Sequence, residues 1–250
     1  MHDLTVRPHP LLKRAELQAN GLLAAMPQDT LERLLPQVEK VRLVAGDALY
    51  NAGDALEYAY FPANTIVTIL LKLGSTSTST QVAVAGHEGL VGLSAFMGST
   101  AHGRALVLIT GDAFKIPVAA LKAEFDRNGP VMRLLLRYTQ AVVTQMAQAV
   151  VCNRHHRLDQ QLCTWLLASM DRLPQGRPLR VTHEMVARVL GVRRESITDA
   201  AAALRLLGLI TYSRGQVILL DRAGLRAKAC ECYQVVKRET DRLLPDRPAT

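Results

Sequence analysis

Apolar residues fall into three successive textures along this 250-residue chain. Residues 11–36 carry short apolar runs stopped by proline. Leu22-Leu23-Ala24-Ala25-Met26 ends at Pro27, and Asp29 reads as the N-cap of a helix over 30–35 that ends at Pro36. From Val41 to Ile116, β-branched runs alternate with Gly-Asp turns at 46–47, 53–54 and 111–112. Segments 66–71, 82–84 and 105–110 read as strands. That spacing, without long helices, predicts an antiparallel barrel or sandwich, with the Ser/Thr run at 75–80 as a hairpin loop.

From Pro130 the period becomes helical. Val131, Leu135, Tyr138, Val142, Gln145, Ala149 and Cys152 recur in steps of four and three, an a/d seam of about three heptads. Such a seam predicts a helix paired with a copy of itself, Gln145 fixing its register. The competing reading is a helix lying on its own domain's core. The polar segment 154–157 predicts a hinge. A second helix follows over 158–170, with Leu162, Trp165, Leu166 and Met170 on one face, until Pro174-Gln175-Gly176.

Residues 179–221 carry the densest signal. Thr182 reads as the N-cap of a short helix over 183–190, and Gly191 as the turn into a second helix over about 194–207. By helical spacing, Val192, Ile197, Ala201 and Leu204 face inward. Arg194, Glu195, Thr198, Asp199 and Arg205 then face outward. Two apolar runs at 209–212 and 217–220, joined through Ser213-Arg214-Gly215-Gln216, complete a winged helix-turn-helix. On such a unit Arg194 forks onto guanine and Glu195 accepts from cytosine. Arg193, Thr182, Ser196 and Arg214 suit phosphates, which position without reading sequence.

Charge sharpens this reading. The formal net charge is +8, and residues 172–226 hold ten arginines against Glu184, Glu195, Asp199 and Asp221. A basic segment of this kind suits double-stranded DNA. No run reaches the length of a membrane span, and the first residues lack the apolar core of a secretory signal. Four cysteines make no disulfide framework, so a reducing, cytoplasmic setting is expected. No nucleophile–base pair, metal-ligand set or phosphate loop points to an enzyme. The rival reading is a ligand-sensing adaptor whose winged helix contacts protein.

Several stretches together carry a family resemblance. These are Gly191-Val192-Arg193-Arg194-Glu195-Ser196-Ile197, Gly208-Leu209-Ile210, Leu219-Leu220-Asp221-Arg222, Gly53-Asp54 with Tyr60-Phe61-Pro62, Gly86-His87-Glu88-Gly89, Cys152-Asn153-Arg154 and Cys230-Glu231-Cys232-Tyr233. Over about residues 20–245 the chain resembles the Crp/Fnr family of bacterial transcription regulators. The resemblance implies an α+β chain in three parts. A cyclic-nucleotide-binding-like, jelly-roll sensory barrel occupies 1–129. A dimerisation helix and hinge occupy 130–157, and a winged helix-turn-helix occupies 158–250. It implies a homodimer on a pseudo-palindromic operator, with RNA polymerase as a further partner. Recognition helices of this family usually start Ser-Arg-Glu and carry a second Arg four residues after the Glu. Here Arg193 replaces the Ser, removing an N-cap, and Asp199 replaces the later Arg, so a different half-site is expected.

The resemblance also bears on the effector. Members that bind cyclic AMP place a Gly-Glu pair on the ribose and an Arg with a small hydroxyl residue on the phosphate. Here Gly92 is followed by Leu93, and Arg104 by Ala105, which disfavours cyclic AMP. Gly92, Arg104 and a substitute acid, Glu88, remain the candidate effector residues, with no cofactor implied. Cys230 and Cys232, on a continuous helix, point about 200° apart and cannot share a metal unless the helix breaks.

Overall fold

The computed structural model describes residues 12–72, 74, 79–98, 100–174, 176–213 and 215–244. Three short helices come first: α1 (Arg14–Leu17), α2 (Gly21–Ala24) and α3 (Gln28–Leu34). Asp29 is not the cap expected of it. Pro27, with extended backbone, occupies the N-cap, and Asp29 sits in the first turn, 2.9 Å from Arg33. A carboxylate there suits the positive end of the helix as well as a cap would.

Among the described residues seven strands form the barrel: β1 (Glu39–Leu43), β2 (Ala48–Tyr50), β3 (Tyr58–Pro62), β4 (Ile66–Lys72), β5 (Ser79–Ala85), β6 (Arg104–Ile109) and β7 (Gly111–Pro117). Every pairing is antiparallel, in two sheets ordered β1-β7-β3 and β2-β6-β4-β5. The expected hairpin loop is shorter than the Ser/Thr run, because β5 already begins at Ser79; residues 75–78 lie outside the described residues.

The β6 sequence explains where the next domain sits. Leu106, Val107, Leu108 and Ile109 are all buried, without the alternation of a half-exposed strand. Val107 belongs to the barrel interior with Val67 and Leu43. Leu106 and Leu108 point the other way, into a cluster with Ile66, Leu70, Trp165, Leu166 and Val189. One face of β6 thus lines the barrel, and the other is covered by the C-terminal domain.

Helix α4 (Val118–Phe125) leads into the long α5 (Pro130–His155) and then α6 (Leu158–Met170). The winged unit follows: β8 (Leu179–Arg180), α7 (His183–Leu190), α8 (Arg194–Leu206), β9 (Ile210–Ser213) and β10 (Gln216–Leu219). Its sheet is ordered β8-β10-β9, so the expected hairpin gains a third strand. Helices α9 (Arg222–Lys228) and α10 (Cys232–Leu243) end the described chain, and α10 packs along α5. No helix among the described residues is long and apolar enough to cross a membrane.

The expected dimer seam on α5 needs correction. Val131, Leu135, Tyr138 and Val142 are buried within their own chain, and the Tyr138 hydroxyl donates to the Leu90 carbonyl at 2.7 Å. Gln145 accepts from the Val84 amide, and Ala149 is half-buried beside it. This face holds α5 against the barrel. A second stripe lies one residue further on: Met132, Leu136, Thr139, Val143, Met146 and Val150, again in steps of four and three. Leu136 is 49% exposed, Val143 51% and Val150 70%. Residues one apart on a helix point about 100° apart, so a single chain shows both seams and the sequence alone cannot say which one faces outward.

Asn20 ties the N-terminal helices to the barrel. It is fully buried; its Oδ1 accepts from the amides of Leu22 and Leu23, and its Nδ2 donates to the carbonyls of Pro62 and Gly89. Asn20→Ala leaves these backbone groups unpaired away from water, which costs about 2–4 kcal/mol. Chemical denaturation of the two proteins measures this loss. Equal midpoints would show that the network adds nothing.

Candidate nucleic-acid interface

The helix-turn-helix is built by local rules. Thr182 Oγ1 accepts from the Met185 amide at 3.1 Å and caps α7. Gly191 ends α7 in the left-handed region, φ 69°, which favours glycine. Arg193 then stands at the N-cap of α8 without a side-chain cap, as its departure from the Ser pattern predicts. Ile197, Ala201 and Leu204 are buried against the domain. Arg193, Arg194, Glu195, Thr198, Asp199 and Arg205 are exposed along one side, Ser196 is half-buried, and Thr182 is exposed at the start of α7. Arg214 lies outside the described residues.

The arginines divide into two groups. Arg172 donates to Glu88 at 2.7 Å and to the Ala168 carbonyl, and it is buried. Arg177 donates to the carbonyls of Asn64 and Thr110 on the barrel. Arg222 bonds Asp171 and the Tyr233 hydroxyl, and Arg226 bonds Gln234. These four hold the fold. Arg180, Arg188, Arg193, Arg194 and Arg205 are exposed, with no ion-pair partner among the described residues. The basic surface open to a polyanion is therefore smaller than the charge count of 172–226 suggests, and it is concentrated around α7 and α8.

His183 links the two helices of the motif. Its Nδ1 lies 3.0 Å from Thr198 Oγ1, and its ring stacks on Tyr212 at 4.4 Å between centroids. The Tyr212 hydroxyl donates to the Val181 carbonyl. His183 Nε2 is buried without a hydrogen-bond partner among the described residues. Desolvation, followed by the charge of Arg194, holds its pKa below the ordinary 6.5.

The candidate effector residues separate. Gly92 opens a short 3-10 turn with φ 104°; beside it, burial pushes the Tyr50 phenol up to about 12, against a lowering by the Gly92 backbone. Tyr50 pairs with Ala105 across β2 and β6, so Gly92 and Arg104 lie at one end of the barrel. Arg104 is exposed there, and Leu93 packs against the helical core. Glu88 is elsewhere. Its ion pair with Arg172 joins the barrel to the segment after α6, so it is not a substitute acid for Gly92. A separate cavity of about 260 Å³ opens between barrel, α5, α6 and α10, lined by Gln145, Trp165, Arg172 and Tyr233 among others.

The cysteines also depart from expectation. The continuous helix assumed for Cys230 and Cys232 does not form; α9 ends at Lys228 and α10 starts at Cys232. Both thiols turn toward Cys152 and His156. Sequence spacing missed this because Cys152 and Cys230 are 78 residues apart. Hydrogen bonding with the Cys152 thiol draws Cys230 below the ordinary thiol range and pushes Cys152 up.

The half-buried His183, its pKa depressed, sets a pH dependence. Its neutral form is favoured in the fold, so the stabilisation is complete above 6.5 and is lost as pH falls through the lower folded value. Between about pH 7.5 and 5.5 the wild type is expected to lose more stability than His183→Phe, which keeps a ring on Tyr212 but does not titrate. Parallel thermal denaturation curves at both pH values would contradict this.

Residues 160–228 match the family described as the Crp-like helix-turn-helix domain. Among curated protein sequences none matches the chain. FixK2 from Bradyrhizobium japonicum is similar in structure with a TM-score of 0.67 at 17% identity, over 77% of this chain and 98% of that one. A CRP-family transcriptional regulator from Thermus thermophilus gives 0.61 at 22% identity, over 75% and 95%. CLP of Xanthomonas campestris, a c-di-GMP responsive global regulator, gives 0.60 at 17%, over 78% and 100%. Residues 160–228 thus carry a Crp-like helix-turn-helix domain, and barrel, long helix and winged unit together share the fold of these regulators.

Proposed function

We propose that the chain acts as a homodimer on a pseudo-palindromic operator, reading each half-site with the first turns of α8. The observation that carries this reading is the exposed face of α8. It presents Arg193, Arg194, Glu195, Thr198 and Asp199 with no ion-pair partner for either arginine among the described residues. Arg194 forks onto a guanine and Glu195 takes a cytosine amino group. Arg193, Ser196, Thr182 and Arg214 contact phosphates. Two such helices meet successive major grooves about 34 Å apart. The second copy docks on the α5 stripe of Leu136, Val143, Met146 and Val150, an apolar face left open beside α10. RNA polymerase is the further partner of the bound dimer, and the setting is the cytoplasm.

The barrel, in the same reading, senses an effector other than cyclic AMP, or none. Leu93 lies half-buried on the core where a ribose-binding acid would be needed, and Ala105 is fully buried.

Selection of bound sequences from a random duplex pool with purified dimer tests the proposal. The expected result is a two-fold consensus whose affinity falls steeply with salt. Absence of enrichment, with and without small-molecule extract, would sink it in favour of a protein-contacting adaptor. Arg194→Ala should weaken specific binding by about 1–3 kcal/mol and relax one base pair per half-site; unaltered specificity would remove Arg194 from the reading role. Leu136→Glu with Val143→Glu should give monomers by light scattering, and a persisting dimer would place the interface elsewhere.

A further inference from the structure

The junction between α5 and the C-terminal helices gathers four metal-ligating side chains that the DNA-binding role does not use. Cys152 lies in the last turn of α5, and His156, one turn on, is its extended C-cap. Cys230 and Cys232 flank the break between α9 and α10, where Ala229 is extended and releases the helix. The ligand atoms of all four residues lie within 4.8 Å of one another. Cys152 and Cys230 are 3.6 Å apart at sulfur, and Cys232 Sγ is 3.4 Å from His156 Nδ1. Cys230 and Cys232 are buried.

The surroundings are ordered as a metal's outer shell would be. Glu231 holds His156 Nε2 at 3.2 Å, which leaves Nδ1 facing the sulfurs. Gln148 Nε2 donates to Cys232 Sγ at 3.2 Å, and Thr164 Oγ1 lies 3.1 Å from Cys230 Sγ. A carboxylate behind a ligating histidine and hydrogen bonds onto thiolates are the usual supports of such sites. The fourth cysteine, Cys163, is buried outside the group.

We propose that Cys152, His156, Cys230 and Cys232 form a mononuclear, four-coordinate site for a divalent ion of the zinc class. Three sulfurs and one imidazole are a closed structural set for such an ion, and bonds of about 2.3 Å in a tetrahedron put ligand atoms about 3.8 Å apart. The observed spacing fits one ion. A multi-iron cluster spreads its cysteines over separate irons and needs wider spacing. On binding, the three thiols release their protons to solvent and His156 ligates as the neutral imidazole. A Cys152–Cys230 disulfide would leave the orientation of Cys232, His156 and Glu231 without a purpose. Two ligands come from the end of α5 and two from the α9–α10 break, so the ion pins the winged domain to the long helix at the hinge.

The test uses the full chain, reduced, stripped with a chelator and kept anaerobic. Titration with Co²⁺ should reach one ion per chain, with thiolate-to-cobalt charge-transfer bands and visible bands of tetrahedral strength, and Zn²⁺ should bleach both. Cys163→Ser should keep the spectrum, and Cys230→Ser and His156→Ala should lose or shift it. A wild-type chain without those bands, or bands that survive Cys230→Ser unchanged, would overturn the site. A second measurement needs no variant. With Zn²⁺ at ten times its dissociation constant, alkylation of Cys152, Cys230 and Cys232 should slow at least about tenfold. If alkylation is not slowed, or a Cys152–Cys230 disulfide forms equally fast with and without Zn²⁺, the group is a redox pair and the metal site is refuted.

Discussion

The barrel, the N-terminal helices, α5 and the segment after α6 meet at the turn Gly86-His87-Glu88-Gly89. Glu88 anchors Arg172 in a largely buried ion pair, side chains 17% and 9% exposed, and accepts from the Gly86 amide. The His87 carbonyl takes the Gly21 amide at the start of α2, and the Gly89 carbonyl takes Asn20. The two glycines are required by contact, not by φ. A Cβ on Gly86 would fall 2.7 Å from the Arg172 side chain, and one on Gly89 would fall 2.5 Å from Tyr138. Removing either charge would leave the other buried and unpaired, which is costly even where the intact pair adds little stability. The barrel, the N-terminal helices, α5 and the segment after α6 therefore share one set of constraints.

The basic segment carries two separate jobs under one composition. Arg172, Arg177 and Arg222 use their forked donors on a carboxylate, two backbone carbonyls and an Asp–Tyr pair, contacts that lysine satisfies less well. The exposed arginines of α7 and α8 have no ion-pair partner among the described residues. Composition cannot separate these groups, because partners such as Asn64 and Thr110 lie more than sixty residues away in sequence.

How much was legible follows the range of the forces involved. Helices α6, α7 and α8 could be read almost to the residue, since caps, glycine turns and apolar spacing act within a few positions. Strands β1, β2, β3 and β7 were not individually legible; β1 buries only Leu43 fully, exposes Glu39 and Arg42, and is defined by its pairing with β7. The α5 seam failed for a related reason. Periodicity shows that a face is apolar, whereas what covers it is decided by Leu90, Val84 and the other distant residues it meets. The inward and outward faces of α8 came out as read, but the cysteine group could not, because it depends on a helix break at Ala229 and on chain closure over 78 residues.

The apolar seam through β6 has a thermodynamic consequence. Leu106 and Leu108 of the barrel and Trp165, Leu166 and Val189 of the C-terminal domain belong to one continuous cluster. Any rearrangement that lifts the winged domain from the barrel hydrates that surface, and hydration of apolar area raises heat capacity. The balance between docked and lifted arrangements is therefore curved in temperature, with the driving force for docking weakening on cooling. A chain assembled this way couples the posture of its helix-turn-helix domain to temperature through its own core.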